Sequence, residues 1–167
     1  FNLDVYRNMI TDWMVIGPFA DPDEKGLDIE YPPEKAVDLS AKYKALGDKE
    51  VGWQKVSRAD GIVELSNVIA PNQHCVVYGA CIVNAAKAGK QTLLLGSDDA
   101  VKVWIDSKQV WANQARRPIV PDNDRVEVEL KQGPNLLLVK IEQGDGELGW
   151  AVRFNDSKRR LSYDLPK

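Results

Sequence analysis

Short apolar runs with alternating side chains, separated by tight polar turns, dominate the second half of the chain. The clearest lie in LLLGSDDAVKVWID, residues 93–106, and in QGPNLLLVKIEQGDGELGWAVRF, residues 132–154. Successive side chains of a strand point to opposite faces of a sheet, so such runs indicate half-buried strands joined by short connections. This pattern constrains the fold more than any other feature of the chain.

The spacing of these runs predicts an all-β fold. Strands that recur at intervals of about 8 to 12 residues, without long helical patterns between them, favour an antiparallel β-sandwich over an α/β fold. We expect a long N-terminal loop region and at most one or two short helices, within residues 34–46. The predicted strands span residues 12–19, 50–57, 61–65, 74–85, 91–97, 100–106, 109–112, 124–131, 135–143 and 148–155.

Length and charge limit the organisation and the partners. The 167 residues fit one domain, which would bury about 70% of its unfolded-chain surface. We divide the chain into a lead-in segment (1–12), a single sandwich module (13–157) and a C-terminal tail (158–167). A formal charge of -3 attracts neither nucleic acid nor an anionic membrane, and no apolar run approaches the ~18 residues that span a bilayer. Nucleic acid and membrane insertion are therefore not expected.

Three patterns predict the core. VEVEL (126–130) alternates cleanly, so its valines and leucine face inward and its glutamates outward. NLLLVKI (135–141) is apolar on both faces in its first half, which is typical of a central strand covered on both sides. Trp13, Trp53 and Trp150 sit in apolar alternation and are predicted core residues.

The two cysteines are predicted to be buried and free. Cys75 and Cys81 share one face of one predicted strand, about 20 Å apart at ~3.3 Å per residue. A disulfide needs Cα atoms within about 7 Å. They therefore act as small hydrophobic residues.

Several of these segments resemble a known class of module. The SDD turn and the strand ending in Trp104 and Asp106 resemble the SDDG-x-x-x-W-x-x-G-K signature of PA14-like and related galactose-binding-like jelly-roll carbohydrate-binding modules. KQGPNLLLVKI, residues 131–141, resembles their second hallmark, and the GPF motif ending at Phe19 resembles their usual start. The glycine after the paired aspartates is Ala100 here, and the hairpin's Asn-Gly is Asp-Ser, which implies a looser turn.

The resemblance implies a fold, a location and partners. It implies a jelly-roll β-sandwich that serves as a non-catalytic accessory module of a larger secreted, cell-surface or periplasmic protein. Its expected partners are a polysaccharide or other glycan and the neighbouring domains of the parent protein. The alternative is a structural spacer that packs against a neighbouring domain and binds no sugar.

The resemblance also implies calcium. In some PA14-like lectins the paired aspartates, Asp98 and Asp99 here, hold a calcium ion that in turn binds sugar hydroxyls. Calcium takes six to eight oxygen ligands, and adjacent carboxylates supply its charge. Alternatively, one aspartate accepts backbone N–H groups in the turn while the other faces solvent. The same two alternatives, an ion or a solvated loop, apply to the acidic cluster Asp21, Asp23, Glu24, Asp28 and Glu30.

Aromatic and polar side chains near the SDD turn suggest a sugar site. If Val101, Val103 and Ile105 face inward, Trp104 lies exposed on the opposite face, where an indole can stack on a pyranose. The segment 111–117 adds groups that bond hydroxyls or a sugar carboxylate. The alternative is that the tryptophans are core or lid residues. The candidate ligand-binding residues are Asp98, Asp99, Trp104, Trp111, Asn113, Arg116 and Arg117.

The chain lacks the usual catalytic patterns, and we predict that it is not an enzyme. His74 is the only histidine, and no G-x-S-x-G or H-E-x-x-H motif is present. Glycoside cleavage needs two carboxyl groups about 5 to 9.5 Å apart across a cleft, which adjacent aspartates are poorly placed to provide.

Overall fold

Two large sheets and one small hairpin build the molecule in the computed structural model, which describes residues 8–167. The strands are β1 (Asp12–Ala20), β2 (Lys42–Lys44), β3 (Glu50–Gly52), β4 (Gln54–Ser57), β5 (Ile62–Glu64), β6 (Cys75–Ala85), β7 (Gly89–Asp98), β8 (Ala100–Ile105), β9 (Lys108–Asn113), β10 (Asp124–Leu130), β11 (Gly133–Gln143), β12 (Gly149–Phe154) and β13 (Leu161–Asp164). One short helix, α1 (Pro32–Lys35), and two 3-10 turns, Gly26–Asp28 and Leu46–Asp48, complete the elements.

The strand pairing is antiparallel throughout. One sheet has seven strands, in the order β4-β1-β6-β11-β8-β9, with β13 also paired to β6. The facing sheet has the order β10-β7-β12-β5, and β2 pairs with β3. Because β11 pairs with the whole of β6, β1 and β13 share the other edge of β6, one at each half. The predicted antiparallel β-sandwich is confirmed.

The main core lies between the two large sheets and follows the predicted alternation. Along β10 buried and exposed residues alternate without a break. Trp13 and Trp150 are fully buried and meet edge to face, with ring centroids 5.4 Å apart. Cys75 and Cys81 are buried and free, as predicted. The prediction that Trp53 is a core residue was wrong. Trp53 lies between β3 and β4, and it is only half-buried against the outer side of the seven-stranded sheet.

The long loop region is a cover over the outer face of the seven-stranded sheet. Beneath it lies a second apolar cluster, made of Ile16, Phe19, Val76, Tyr78, Ala80 and Leu138, with partly buried Tyr31, Val37, Tyr43, Val51, Trp53, Trp104 and Leu136 around it. This cover explains why β11 is buried on both faces, as predicted for a central strand.

A buried lysine fixes the cover to the sheet. Lys140 of β11 is fully buried. Its ammonium donates to the carbonyl oxygens of Leu27 (3.0 Å) and Ile29 (2.6 Å) and to the Glu34 carboxylate (3.0 Å). The Tyr78 hydroxyl donates to the same carboxylate. Two carbonyls and one acid of the loop region therefore share a single cation on the strand.

The N-terminal half differs from the prediction in its local detail. The α-helical turn is α1, which begins on two prolines suited to the first turn of a helix and overlaps the predicted range 34–46 only at Glu34 and Lys35. Within residues 42–44, Lys42 and Lys44 are exposed while Tyr43 is half-buried. This period of two is typical of a strand, and the segment forms β2. At the other end, β13 lies inside the predicted tail and adds a strand to the seven-stranded sheet. No helix within residues 8–167 is both long and apolar enough to span a bilayer.

Candidate functional site

Polar side chains from several loops meet at one end of the sandwich, which we call the rim. It comprises residues 97–99, the connection 113–117, Glu142 with the turn that follows it, the loop 21–24, and His74. Backbone hydrogen bonds join these segments: the N–H of His74 donates to the carbonyl of Gly144 (2.8 Å), and the N–H of Asp21 donates to the carbonyl of His74 (3.0 Å). The rim is thus built from segments that are distant in sequence.

Asp99 anchors the rim by accepting N–H groups. It is 7% exposed. Its Oδ1 accepts the backbone N–H of Arg117 (3.1 Å), and its Oδ2 accepts the N–H of Gly144 (3.2 Å) and Nη1 of Arg116 (3.4 Å). The Ser97 hydroxyl donates to its backbone carbonyl (2.7 Å). Asp99 therefore ties the β7–β8 turn to two other segments.

Asp98, the neighbour of Asp99 in the turn, has a raised pKa. Burial raises the pKa of Asp98 to about 7, and the negative charge of Asp99 and a hydrogen bond with it act in the same direction. The carboxylates of Glu147 and Glu64 add further repulsion. Near neutral pH this carboxyl group can therefore donate a hydrogen bond as an acid or accept one as a carboxylate.

A buried ion pair holds the connection 113–117 against the facing sheet. Asp124 accepts Nη1 (2.9 Å) and Nη2 (2.6 Å) of Arg117, and also the side-chain N–H groups of Trp111 (3.1 Å) and Asn113 (3.1 Å). Burial alone would raise the pKa of Asp124, but the hydrogen bonds from Arg117 and Trp111 hold it below its usual value. In this half of the rim, the polar side chains are therefore already bonded to one another.

A glycine allows this connection to lie so close to the sheet. A Cβ atom on Gly96 of β7 would lie 2.0 Å from the carbonyl oxygen of Val120. The backbone after Arg117 therefore passes directly over β7. This approach lets Nε of Arg117 reach the carbonyl of Ser97 (3.2 Å).

Arg116 is a half-exposed ionic group of the rim, with 45% of its side chain accessible. It lies 3.0 Å from Glu142, 3.4 Å from Asp99 and 4.0 Å from Glu24. Glu142 is fully buried, and its second oxygen accepts Nε2 of Gln114 (3.2 Å). One guanidinium therefore faces three carboxylates.

The structure brings together most of the predicted site, but not Trp104. Asp98, Asp99, Trp111, Asn113, Arg116 and Arg117 all belong to the rim or contact it. Trp104 is paired with Leu138 on the outer face and is half-buried in the outer cluster, rather than exposed. Trp111 is paired with Val103, and it is half-buried against the main core. A register shift between Val103 and Trp104 accompanies this separation.

Two functional residues were missed by the sequence analysis. Asp124 opens the alternating run that continues as VEVEL, so its inward position followed from the period of two. Glu142 shares the face of Leu138 and Lys140 by the same rule. The alternation therefore carried the signal for both, but nothing in the sequence showed that arginines would meet them.

A mostly apolar hollow of about 600 Å³ adjoins the rim. Its lining comprises Ala20, Pro22, Leu46, Gly47, Pro71, Gln73 and His74. His74 is half-exposed, and its Nδ1 lies 3.1 Å from Glu24. The hollow therefore combines apolar walls with two polar side chains, Gln73 and His74.

The rim residues, as they are placed, do not fit calcium. Both oxygens of Asp99 already accept N–H donors. Within residues 8–167, no three histidine, cysteine or acidic side chains are grouped so as to hold a metal ion. The acidic cluster of the long loop also disperses, because Oδ1 of buried Asp21 accepts the N–H of Lys25 (3.0 Å) while Asp28 pairs with Lys102 (2.9 Å).

Comparison with known proteins gives weak likenesses. No family model matches the chain, and no curated protein matches it. A family 35 carbohydrate-binding module from an environmental isolate is similar at 14% identity and a TM-score of 0.41, over 56% of this chain and 72% of that one. The GH31 alpha-xylosidase of Xanthomonas citri is similar at 12% identity and a TM-score of 0.47, over 95% of this chain but 17% of that one. Values this low decide neither ligand nor activity.

Proposed function

We propose that this chain is a non-catalytic carbohydrate-binding module that recognises a glycan at the rim. The observation that carries the proposal is the meeting of convergent polar groups with an apolar hollow. A sugar presents hydroxyls together with apolar C–H faces, so its site needs hydrogen-bonding groups beside an apolar wall. Arg116 and His74 are the exposed polar groups, and Pro22 and Leu46 belong to the wall.

The charge of the rim favours a neutral glycan. Arg116 already faces three carboxylates, and Arg117 is paired with Asp124. Both guanidinium groups are already neutralised by these carboxylates, so neither is available to pair with the carboxylate of an acidic sugar. The acidic side chains of the rim, Asp98 among them, instead favour the hydroxyl groups of an uncharged chain, because they accept hydrogen bonds.

The setting of the module belongs to the same proposal. We propose that it is part of a larger secreted, cell-surface or periplasmic protein and lies beside the domains of that parent. The resemblance of the SDD turn to calcium-binding lectins supports calcium at Asp98 and Asp99, whereas the N–H groups on Asp99 speak against it. Retention by polysaccharide is therefore measured both in calcium and in chelator.

The test is retention of the protein in affinity gels of neutral polysaccharides, with calcium and with chelator. We expect retention by at least one gel, weakened about tenfold by Arg116→Ala or by His74→Ala, since each removes a hydrogen bond to the ligand. The matched control is Arg125→Ala, which removes an arginine from an exposed pair on β10. Equal retention of all variants would contradict a site at the rim.

A spacer is the second candidate, and the tryptophans favour it. Trp104 packs into the outer cluster, and the N–H of Trp111 is bonded to Asp124. Both indoles are half-buried against apolar clusters, which leaves less of each ring exposed for stacking on a sugar. A spacer would be retained by no polysaccharide and would melt at the same temperature in calcium and in chelator.

A further inference from the structure

Arg116 joins three carboxylates that come from three separate parts of the chain. Glu24 belongs to the long loop, Asp99 to the β7–β8 turn and Glu142 to the end of β11. Each lies within 4.0 Å of the guanidinium. In its place relative to these acids, the guanidinium resembles a bound cation.

We propose that Arg116 is the built-in cation of the rim and replaces a divalent metal there. Glu142 is fully buried, and a buried carboxylate without a cation is strongly destabilising. The planar guanidinium satisfies this need with donors directed to two acids at once. Gln114 bonds the remaining oxygen of Glu142, so the acid needs no further ligand.

Calcium would compete with this arrangement at every position. It needs six to eight oxygen ligands at about 2.3 to 2.6 Å. The backbone N–H groups of Arg117 and Gly144 already point at Asp99, and an N–H group repels a metal ion. The rim therefore assembles without metal, whether or not a glycan binds there; if the proposed function is right, glycan recognition is calcium-independent.

Removal of Arg116 should destabilise the rim, because within residues 8–167 no other cation is paired with Glu142 or Asp99. In Arg116→Ala three carboxylates face a vacated space, and their mutual repulsion lowers the melting temperature. We expect this loss to be the same in calcium and in chelator, because the backbone N–H groups of Arg117 and Gly144 still occupy Asp99 in the variant. The wild type, the charge-preserving variant Arg116→Lys and the surface control Arg125→Ala should melt at the same temperature in calcium and in chelator.

Differential scanning calorimetry of the four proteins decides the matter without any sugar. A wild type that calcium stabilises, or that binds calcium in isothermal titration, would overturn the proposal. A folded Arg116→Ala that melts at the same temperature as Arg125→Ala would overturn it as well. If Arg116→Ala does not fold, Arg116→Gln takes its place, and the wild-type titration stands by itself. Because no glycan enters these measurements, failure of the proposed function leaves their outcome unchanged.

Discussion

Lys140 and Glu142 lie two residues apart on the same face of β11, and both are fully buried. Lys140 is neutralised beneath the cover by Glu34, whose side chain is 11% exposed. Glu142 is neutralised at the rim by Arg116, whose side chain is 45% exposed. In both places a buried charge on β11 fixes a distant loop. The ion pair at Lys140 is closed to solvent, whereas the ion pair at Glu142 is open to it. Only the open one can meet a ligand.

The largest effect should come from the sealed charge. Lys140→Met leaves Glu34 without its cation and the carbonyls of Leu27 and Ile29 without their donor. Loss of one partner of a buried ion pair costs about 3 to 5 kcal/mol of the free energy of unfolding. Urea denaturation measures it.

The matched control lies next to it in the sheet. Lys102 is paired with Lys140 in register, but it bonds the exposed carboxylate of Asp28. Lys102→Met should cost at most about 1 kcal/mol, because the Asp28 carboxylate that it leaves behind is 85% exposed to solvent. Equal losses for the two lysines would show that the cover is not fixed by Lys140.

The second effect tests the occupied half of the rim. Asp124→Asn removes the charge that Arg117 pairs with and weakens the bonds from Trp111 and Asn113. We expect a loss of about 2 kcal/mol in the free energy of unfolding, the magnitude of one buried charged hydrogen bond. Glu127→Gln on the exposed side of β10 is the control, with no measurable change expected. A loss no larger than the control's would mean that Asp124 is not structural.

The contrast between the faces of the sheet marks the limit of sequence reasoning. The period of two was enough to place β10 and β11 and the inward set of β8, because the inward side chains in the middle of each strand, such as Val103, Val128 and Val139, are apolar. It was not enough to separate Trp104 from Trp111, because a register shift in the β8–β9 pairing accompanies their placement on opposite faces. A shift of one residue reverses the facing of a strand.

The acids of the rim show a different limit. The sequence placed Asp98 and Asp99 in a turn and offered two partners, a metal ion or N–H groups. The partners of Asp99 come from residues 18 and 45 positions away. Only the folded topology brings Arg117 and Gly144 to this carboxylate. Similarly, LSYD at 161–164 is too short and too polar to indicate that β13 would complete the edge of β6.

A third effect distinguishes the open end by its response to pH. The pKa of Asp98 is about 7 in the folded protein and about 3.9 in an unfolded chain. Between these values the folded state holds a proton that the unfolded state has lost, so the stability of the wild type falls as the pH rises toward 7. Asp98→Asn cannot ionise and escapes this fall. We expect its melting temperature to exceed that of the wild type increasingly from pH 5 to pH 8; a difference independent of pH would contradict the raised pKa.

The smallest effect should come from the outermost acid of the rim. Glu24 is half-exposed and lies 4.0 Å from Arg116 and 3.1 Å from His74, so Glu24→Gln should change the free energy of unfolding by no more than about 0.5 kcal/mol. Glu34→Gln, beneath the cover, is its counterpart and should cost several times more, because Lys140 then keeps a buried charge without a full partner. Chemical denaturation of both variants compares the rim with the cover directly. If Glu24→Gln proved as costly as Glu34→Gln, the rim would be sealed in the same sense as the cover, and its exposed arginine would be structural rather than available to a ligand.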